Sequence, residues 1–190
     1  MRPTTKERLV IAGADRFHEL GYSACSVQDI VDQAGVPKGS FYNHFKTKEA
    51  FAVEVVANYV ASTRRDILMD RSATPLNRIA RHFRHLLEGH EKTQRNRGCL
   101  IVNLSAETSD SVPLLRETLN ASLTDWIDLL SETIREGQSS GEITNSLEPD
   151  KFARFLIDAY EGAVLRMKVS NANHPLENFY SISMSLLTTS

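Results

Sequence analysis

The chain reads as all-α. Apolar residues recur with helical period in almost every segment, and no hairpin dipeptide stands between alternating apolar and polar runs. Glycine, proline and capping residues punctuate the chain at helix-length intervals. The first helix carries Leu9, Ala12, Gly13, Phe17 and Leu20 on one stripe and ends at Gly21. A short second helix follows, with Ser26 as N-cap, Asp29 completing an approximate capping box, and Val27, Ile30, Val31 and Ala34 as its apolar face. Gly35 closes it. The third helix spans about Pro37 to Phe45, and Thr47 and Glu49 open a fourth, through Phe51, Val55 and Tyr59 to about Asp70. Thr74-Pro75 starts a fifth, to about Gln94, before the polar stretch 91–97 breaks the pattern. Gly98 leads into a helical segment 99–108, and Pro113 opens a long helix to about Gln138. The tract "QSSGEITN" (138–145) is a loop, Asp150–Lys168 is helical, and residues 171–175 separate it from a last helix to about Leu187.

Composition narrows the function classes. The hydrophobic content of 41% across 190 residues suits a globular chain with a sizeable core. A net charge of −2 excludes wholesale basic binding, although residues 1–50 carry seven basic against six acidic groups. Met1–Arg8 is polar and no apolar h-region follows, so no signal peptide is expected, and no apolar run reaches the ~20 residues of a membrane span. Cys25 and Cys99 match no metal spacing, which points to a reducing cytoplasm.

The segment "VPKGSFYNHFKTK" (36–48) concentrates positive charge and aromatic rings. Helices two and three, joined by a tight turn at Gly35, have helix-turn-helix proportions. Val36, Phe41 and Phe45 form the core side of helix three, leaving Lys38, Ser40, Tyr42, Asn43 and His44 facing outward. Those types suit DNA: lysine meets phosphate or guanine, asparagine pairs with adenine, and hydroxyls reach phosphates. Gly39 lets backbone approach backbone, and Lys48 near the start of helix four adds an ammonium. The competing reading of the same residues is a solvated charged face over a small aromatic core.

The run "SVQDIVDQAGVPKGSFYNHFKTKEAF" resembles the N-terminal signature of the TetR family of bacterial transcriptional regulators. The matching features are Ser26 before Val27, Ile30, Ala34-Gly35-Val36, Gly39, Tyr42-x-His44-Phe45 and Lys48-Glu49, within about residues 5–52. Pro37 departs from the commoner small polar residue, harmlessly for a first-turn proline. The resemblance implies a three-helix DNA-binding domain at 1–47, joined by a linking helix to a larger ligand-binding and dimerisation domain at 48–190. It implies that Lys38, Gly39, Ser40, Tyr42, Asn43, His44 and Lys48 meet a double-stranded operator, with Ser26 and Gln28 adding contacts. It also implies a homodimer, a palindromic operator, a small-molecule inducer and repression.

Gly98-Cys99-Leu100 through Ser105-Ala106-Glu107, with Tyr160-Glu161-Gly162-Ala163 and Met167-Lys168, is similar to the TetR branch of N-ethylmaleimide-reductase operon repressors, some of which respond through a cysteine. Cys99 follows a helix start and lies near Arg95 and Arg97, which favours thiolate; its alternative is a small hydrophobe in a core. Lys168 matches a lysine of that branch. Cys25 is expected only to pack. A pocket among the long helices draws on Phe83, Leu86, Cys99, Asn103, Glu107, Trp126 and Tyr160, with a non-covalent apolar ligand as the alternative to thiol modification. Dimer pairing is expected through Phe152, Phe155, Leu156, Ala159, Gly162 and Ala163, with Phe179 and Ile182 of the last helix.

No catalytic constellation, phosphate loop or cofactor motif is present in the sequence. His82, His85 and His90 lack a ligand-spaced partner and are expected at the surface or an interface rather than on a metal. A helical ligand-binding protein without a DNA role remains the competing class.

Overall fold

The structure, a computed structural model, describes residues 3–92, 97–108 and 112–189. All its elements there are helical: α1 (Thr5–Ala24), α2 (Val27–Ala34), α3 (Lys38–His44), α4 (Lys48–Ser62), a 3-10 turn (Arg65–Met69), α5 (Pro75–Lys92), α6 (Leu100–Thr108), α7 (Pro113–Ser140), α8 (Pro149–Ser170) and α9 (His174–Thr188). No described helix is long and apolar enough to cross a membrane.

Two compact units emerge. The first comprises residues 1–62 and 100–121; the second comprises 63–99 and 122–190. In the first, α1 packs against α2, α3, α4 and α6. Its centre is the buried set Leu9, Phe17, Ile30, Phe41, Phe51 and Val55. Gly13 permits the α1–α4 approach: a Cβ there would lie 2.3 Å from the Phe51 ring. Leu20, assigned to the apolar stripe of the first helix, is exposed, because the helix kinks at Gly21 (φ 76°, ψ 177°) and continues to Ala24.

The fourth helix stops at Ser62 instead of reaching Asp70. Its stripe of Phe51, Val55 and Tyr59 has no apolar successor at 62 or 63, and Arg64 turns left-handed (φ 53°). That turn directs Arg65 inward, where its Nη1 donates to the Ser122 carbonyl at 2.6 Å.

The second unit is built on α5, α8, α9 and the 3-10 turn. The buried face of α5 alternates apolar and polar groups: Arg78, Ile79, His82, Phe83, Leu86 and His90. Arg78 pairs with Glu136 and donates to the Leu68 carbonyl at 2.8 Å, so its buried charge is compensated. The loop after α7 packs back onto its own helix, where Gly137 leaves room for Ile143. Glu142 of that loop accepts from the Leu76 N–H at 3.0 Å and from the Thr74 hydroxyl. The start of α5 is thus capped by a carboxylate distant in sequence.

Candidate nucleic-acid interface and buried sensor cluster

The α2–α3 unit is held at both ends of its first helix. Ser26 Oγ accepts from the Asp29 N–H at 3.2 Å, and Asp29 accepts from the Ser26 N–H at 2.8 Å. The Asp29 carboxyl is held below its usual range by these Ser26 bonds, side chain first and backbone second. Gly35 takes the left-handed conformation (φ 62°), and the Val36 N–H returns to the Val31 carbonyl at 3.0 Å. Arg8 of α1 donates to the carbonyls of Ala34 and Gly35 at 2.5 and 3.0 Å. Nothing local to Arg8 in the sequence announces this second clamp on the turn.

Helix α3 has no side-chain cap at its start, so packing holds it. Phe41 is fully buried, with the Phe51 ring at 5.1 Å and the Phe45 ring at 5.6 Å between centroids. Lys38, Gly39, Tyr42, Asn43 and His44 are exposed, and Ser40 is half-buried. Tyr42 presents 55% of its surface. A Cβ at Gly39 would meet nothing within 4 Å, so packing within the protein does not demand glycine there.

Three of the expected DNA contacts have internal partners. The Ser26 hydroxyl donates to Asp29 at 2.5 Å, and the Gln28 amide donates to Asp32 at 2.8 Å. Lys48 is half-buried, and its Nζ donates to the Tyr22 and Cys25 carbonyls at 2.8 and 2.9 Å, 4.2 Å from the Tyr22 ring centroid. Its ammonium closes the corner between α1 and α2.

Glu107 of α6 satisfies the donors of that same corner. Its carboxylate accepts from the N–H groups of Tyr22 at 2.7 Å and Ser23 at 2.5 Å. Burial raises its pKa, but the bonds from Ser23 and Tyr22 outweigh this and hold it below the ordinary value. Gly21 is needed here twice over: its φ is 76°, and a Cβ would sit 2.4 Å from Glu107 Oε2. Glu107 and the half-buried Asn103, both expected in a pocket with Trp126 and Tyr160, belong to the first unit, whereas Trp126 and Tyr160 belong to the second. Cys25 packs in the first unit as expected, burial pushing its thiol up to about 11.

In the second unit the rings form a connected cluster. Tyr160 lies 5.6 Å from Trp126 and 5.5 Å from Phe179, which in turn lies 5.0 Å from Phe83. The Trp126 indole N–H donates to His82 Nε2 at 2.9 Å, and His90 Nε2 pairs with the Tyr160 hydroxyl at 2.8 Å. His82 and His90 are therefore buried and not at the surface, because each has a polar partner inside the cluster. Burial lowers the His82 pKa to about 4, so its ring is neutral. Among the described residues no group of three potential ligands is placed to hold a metal.

Cys99 is 5% exposed and Glu161 8%. Burial pushes the Glu161 carboxyl up to about 7, against the smaller lowering influences of the Cys99 thiol and the Arg65 guanidinium. Arg97 and Lys168 are half-buried, and Arg95 lies outside the described residues. Of the expected dimer face, Phe152, Leu156 and Phe179 are enclosed within this unit, while Phe155 is 53% exposed and Gly162 is exposed. Phe155, half-buried Ala159 and Ala163, and exposed Ile182 line a shallow groove along α8 and α9.

Comparison with known proteins matches this layout. Residues 9–55 match the family described as bacterial regulatory proteins, tetR family, and residues 75–182 match the tetracyclin repressor-like C-terminal domain. The transcriptional repressor DhaR of Mycobacterium sp. (strain GP1) is 38% identical over all of this chain and 95% of its own length. A TetR regulatory protein from Rhodobacter sphaeroides superposes with a TM-score of 0.85 at 32% identity, covering 94% of this chain and 96% of its own. The reduced form of Escherichia coli NemR superposes with a TM-score of 0.87 at 31% identity over 98% of both chains. With family matches over residues 9–55 and 75–182 and a relative 38% identical across the whole chain, the chain belongs to the TetR family of bacterial regulatory proteins.

Proposed function

We propose that the protein is a homodimeric cytoplasmic repressor that leaves a palindromic operator when a small electrophile modifies Cys99. As a TetR-family member it is a DNA-binding transcriptional regulator and not an enzyme. The observation that carries the DNA-reading assignment is the outer face of α3. It presents Lys38, Tyr42, Asn43 and His44 on a helix anchored from beneath by Phe41, with open space at Gly39 for a close backbone approach. The sensing assignment rests on Cys99, which precedes α6 directly, and on the likeness to NemR, a repressor whose reduced form has been described. Residues 1–47 supply the DNA-binding part and 48–190 the ligand-binding and dimerisation part, with pairing through Phe155, Ala159, Gly162 and Ala163.

Coupling follows from chain continuity. Cys99 stands at the start of α6, and Glu107 near its end holds the corner that orients α2 and α3. Modification that favours a different placement of α6 loosens that hold and so selects the state that fits DNA poorly. A second reading, a non-covalent apolar inducer, is favoured by the buried rings of Trp126, Tyr160 and Phe179.

A mobility-shift assay on the protein's own upstream DNA tests both parts. Affinity is expected to fall steeply with salt, and N-ethylmaleimide is expected to release wild-type protein but not Cys99→Ser. Release that persists in Cys99→Ser removes Cys99 as the sensor. Lys38→Ala is expected to lower the salt slope by about 2 for a dimer, one phosphate per protomer. An unchanged slope removes Lys38 from the interface.

A further inference from the structure

The last turn of α1 and its link to α2 depend on two charged side chains from other helices. Gly21 leaves helical geometry (φ 76°, ψ 177°), so the residues after it have the unsatisfied backbone groups of a helix end. The Glu107 carboxylate accepts from the Tyr22 N–H at 2.7 Å and the Ser23 N–H at 2.5 Å. The Lys48 ammonium donates to the Tyr22 carbonyl at 2.8 Å and the Cys25 carbonyl at 2.9 Å. A cation is favoured at a helix C-terminus, and the last turn of α1 carries no basic residue, so Lys48 supplies one from α4. The start of α4 is fixed in turn, because the neighbouring Glu49 carboxylate accepts from the Leu114 N–H of α7 at 3.2 Å. These groups all lie in the first unit.

We propose that Lys48 and Glu107 are positioning residues for operator binding, holding the α1–α2 corner from its two polar sides, and that Lys48 is not a phosphate contact. The role rests on the operator-binding reading. Two of the three N–H groups of the ammonium are committed to carbonyls, and the Tyr22 ring centroid lies 4.2 Å from it. Lys48 is half-buried, whereas Lys38 on the outer face of α3 is exposed. Cys25 is followed directly by Ser26, whose hydroxyl caps α2. A shift of the corner therefore displaces α2 and, through the left-handed turn at Gly35, α3.

A phosphate ligand and a positioning cation differ in salt dependence. A lysine that neutralises phosphate releases counterions, so deleting it lowers the log–log salt slope by about 2 for a dimer. Deleting a lysine that holds only protein carbonyls weakens the complex and leaves the slope alone. Glu107 adds a difference of sign. Removing a negative charge strengthens attraction to a polyanion, whereas releasing the Tyr22 and Ser23 N–H groups misplaces the corner and weakens binding.

Mobility-shift titrations across a salt series, on the protein's own upstream DNA and on a scrambled duplex of equal length, test this with full-length protein. Lys48→Met is expected to bind the upstream DNA roughly ten- to a hundredfold more weakly, with the wild-type salt slope and nearly unchanged affinity for the scrambled duplex. Glu107→Gln is expected to lose affinity in the same direction despite its lost negative charge. Loss of folded protein would instead weaken both duplexes alike. Should Lys48→Met prove misfolded by circular dichroism, acetylation of wild-type lysines by acetic anhydride, read by mass spectrometry, decides. Upstream DNA is expected to protect Lys38 and to leave the already slow reaction of Lys48 unchanged. A slope lowered by about 2 in Lys48→Met, equal or tighter binding by Glu107→Gln, or equal protection of Lys48 and Lys38 overturns the positioning role alone. Wild-type protein that binds the upstream and scrambled duplexes equally overturns the operator reading and this inference with it.

Discussion

Replacing Phe41 with alanine is expected to remove about 3–5 kcal/mol of stability and to abolish operator binding. The side chain is fully buried and touches the rings of Tyr42, Phe45 and Phe51. The seven-residue α3 has no side-chain cap to sustain it, and a helix that short does not persist on propensity alone. The loss is a large share of the ~5–15 kcal/mol that stabilises a typical domain. Thermal or urea unfolding followed by circular dichroism, beside a mobility-shift titration, measures both effects. Phe41→Leu, which retains most of the apolar volume, is expected to lose far less. Equal midpoints for Phe41→Ala and wild type would show that the ring cluster does not support α3.

Glu161→Gln is expected to stabilise the protein by roughly 3 kcal/mol at about pH 8.5 and to leave it nearly unchanged at about pH 4.5. The sign follows from linkage. The folded-state pKa of Glu161, about 7, stands above its ordinary value of 4.5, so the folded chain keeps a proton that the unfolded chain releases. Stability from this group is fully present below about 4.5 and is lost as pH rises through about 7. Glutamine stays neutral throughout and removes that loss. His82 acts from the opposite side: its folded-state pKa is lowered from 6.5 to about 4 by burial, so stability falls as pH drops through that window. Wild-type unfolding free energy is therefore expected to decline on both flanks, and Glu161→Gln to flatten only the alkaline one. A Glu161→Gln curve parallel to wild type across that alkaline range would contradict the burial of an ionisable carboxyl.

Helix order and the α2–α3 geometry were legible because their causes are local. The Ser26–Asp29 capping box, the left-handed Gly35 and the Phe41–Phe45 spacing all act within a few residues, and each appears in the structure as read. Long-range polar partners were not legible. Lys48 reads as a phosphate contact, and no local pattern shows that its ammonium also donates to the Tyr22 and Cys25 carbonyls. Glu107 reads as a pocket residue, and nothing near it in sequence shows that it accepts from N–H groups 84 and 85 residues away. The histidines of α5 read as surface groups because periodicity scores imidazole as polar, whereas the indole of Trp126 and the hydroxyl of Tyr160 make burial of His82 and His90 acceptable.

By itself, then, the sequence determined an all-α chain with helix-turn-helix proportions near its N-terminus, because helical period, caps and turn glycines are written in neighbouring residues. Only the tertiary structure decided that α6 and the first part of α7 join α1–α4 in one unit, and that Glu107 holds the corner at the end of α1. It alone placed the Glu161 carboxyl in the interior. Those outcomes depend on which distant groups satisfy one another once water is excluded, and no local pattern encodes that pairing.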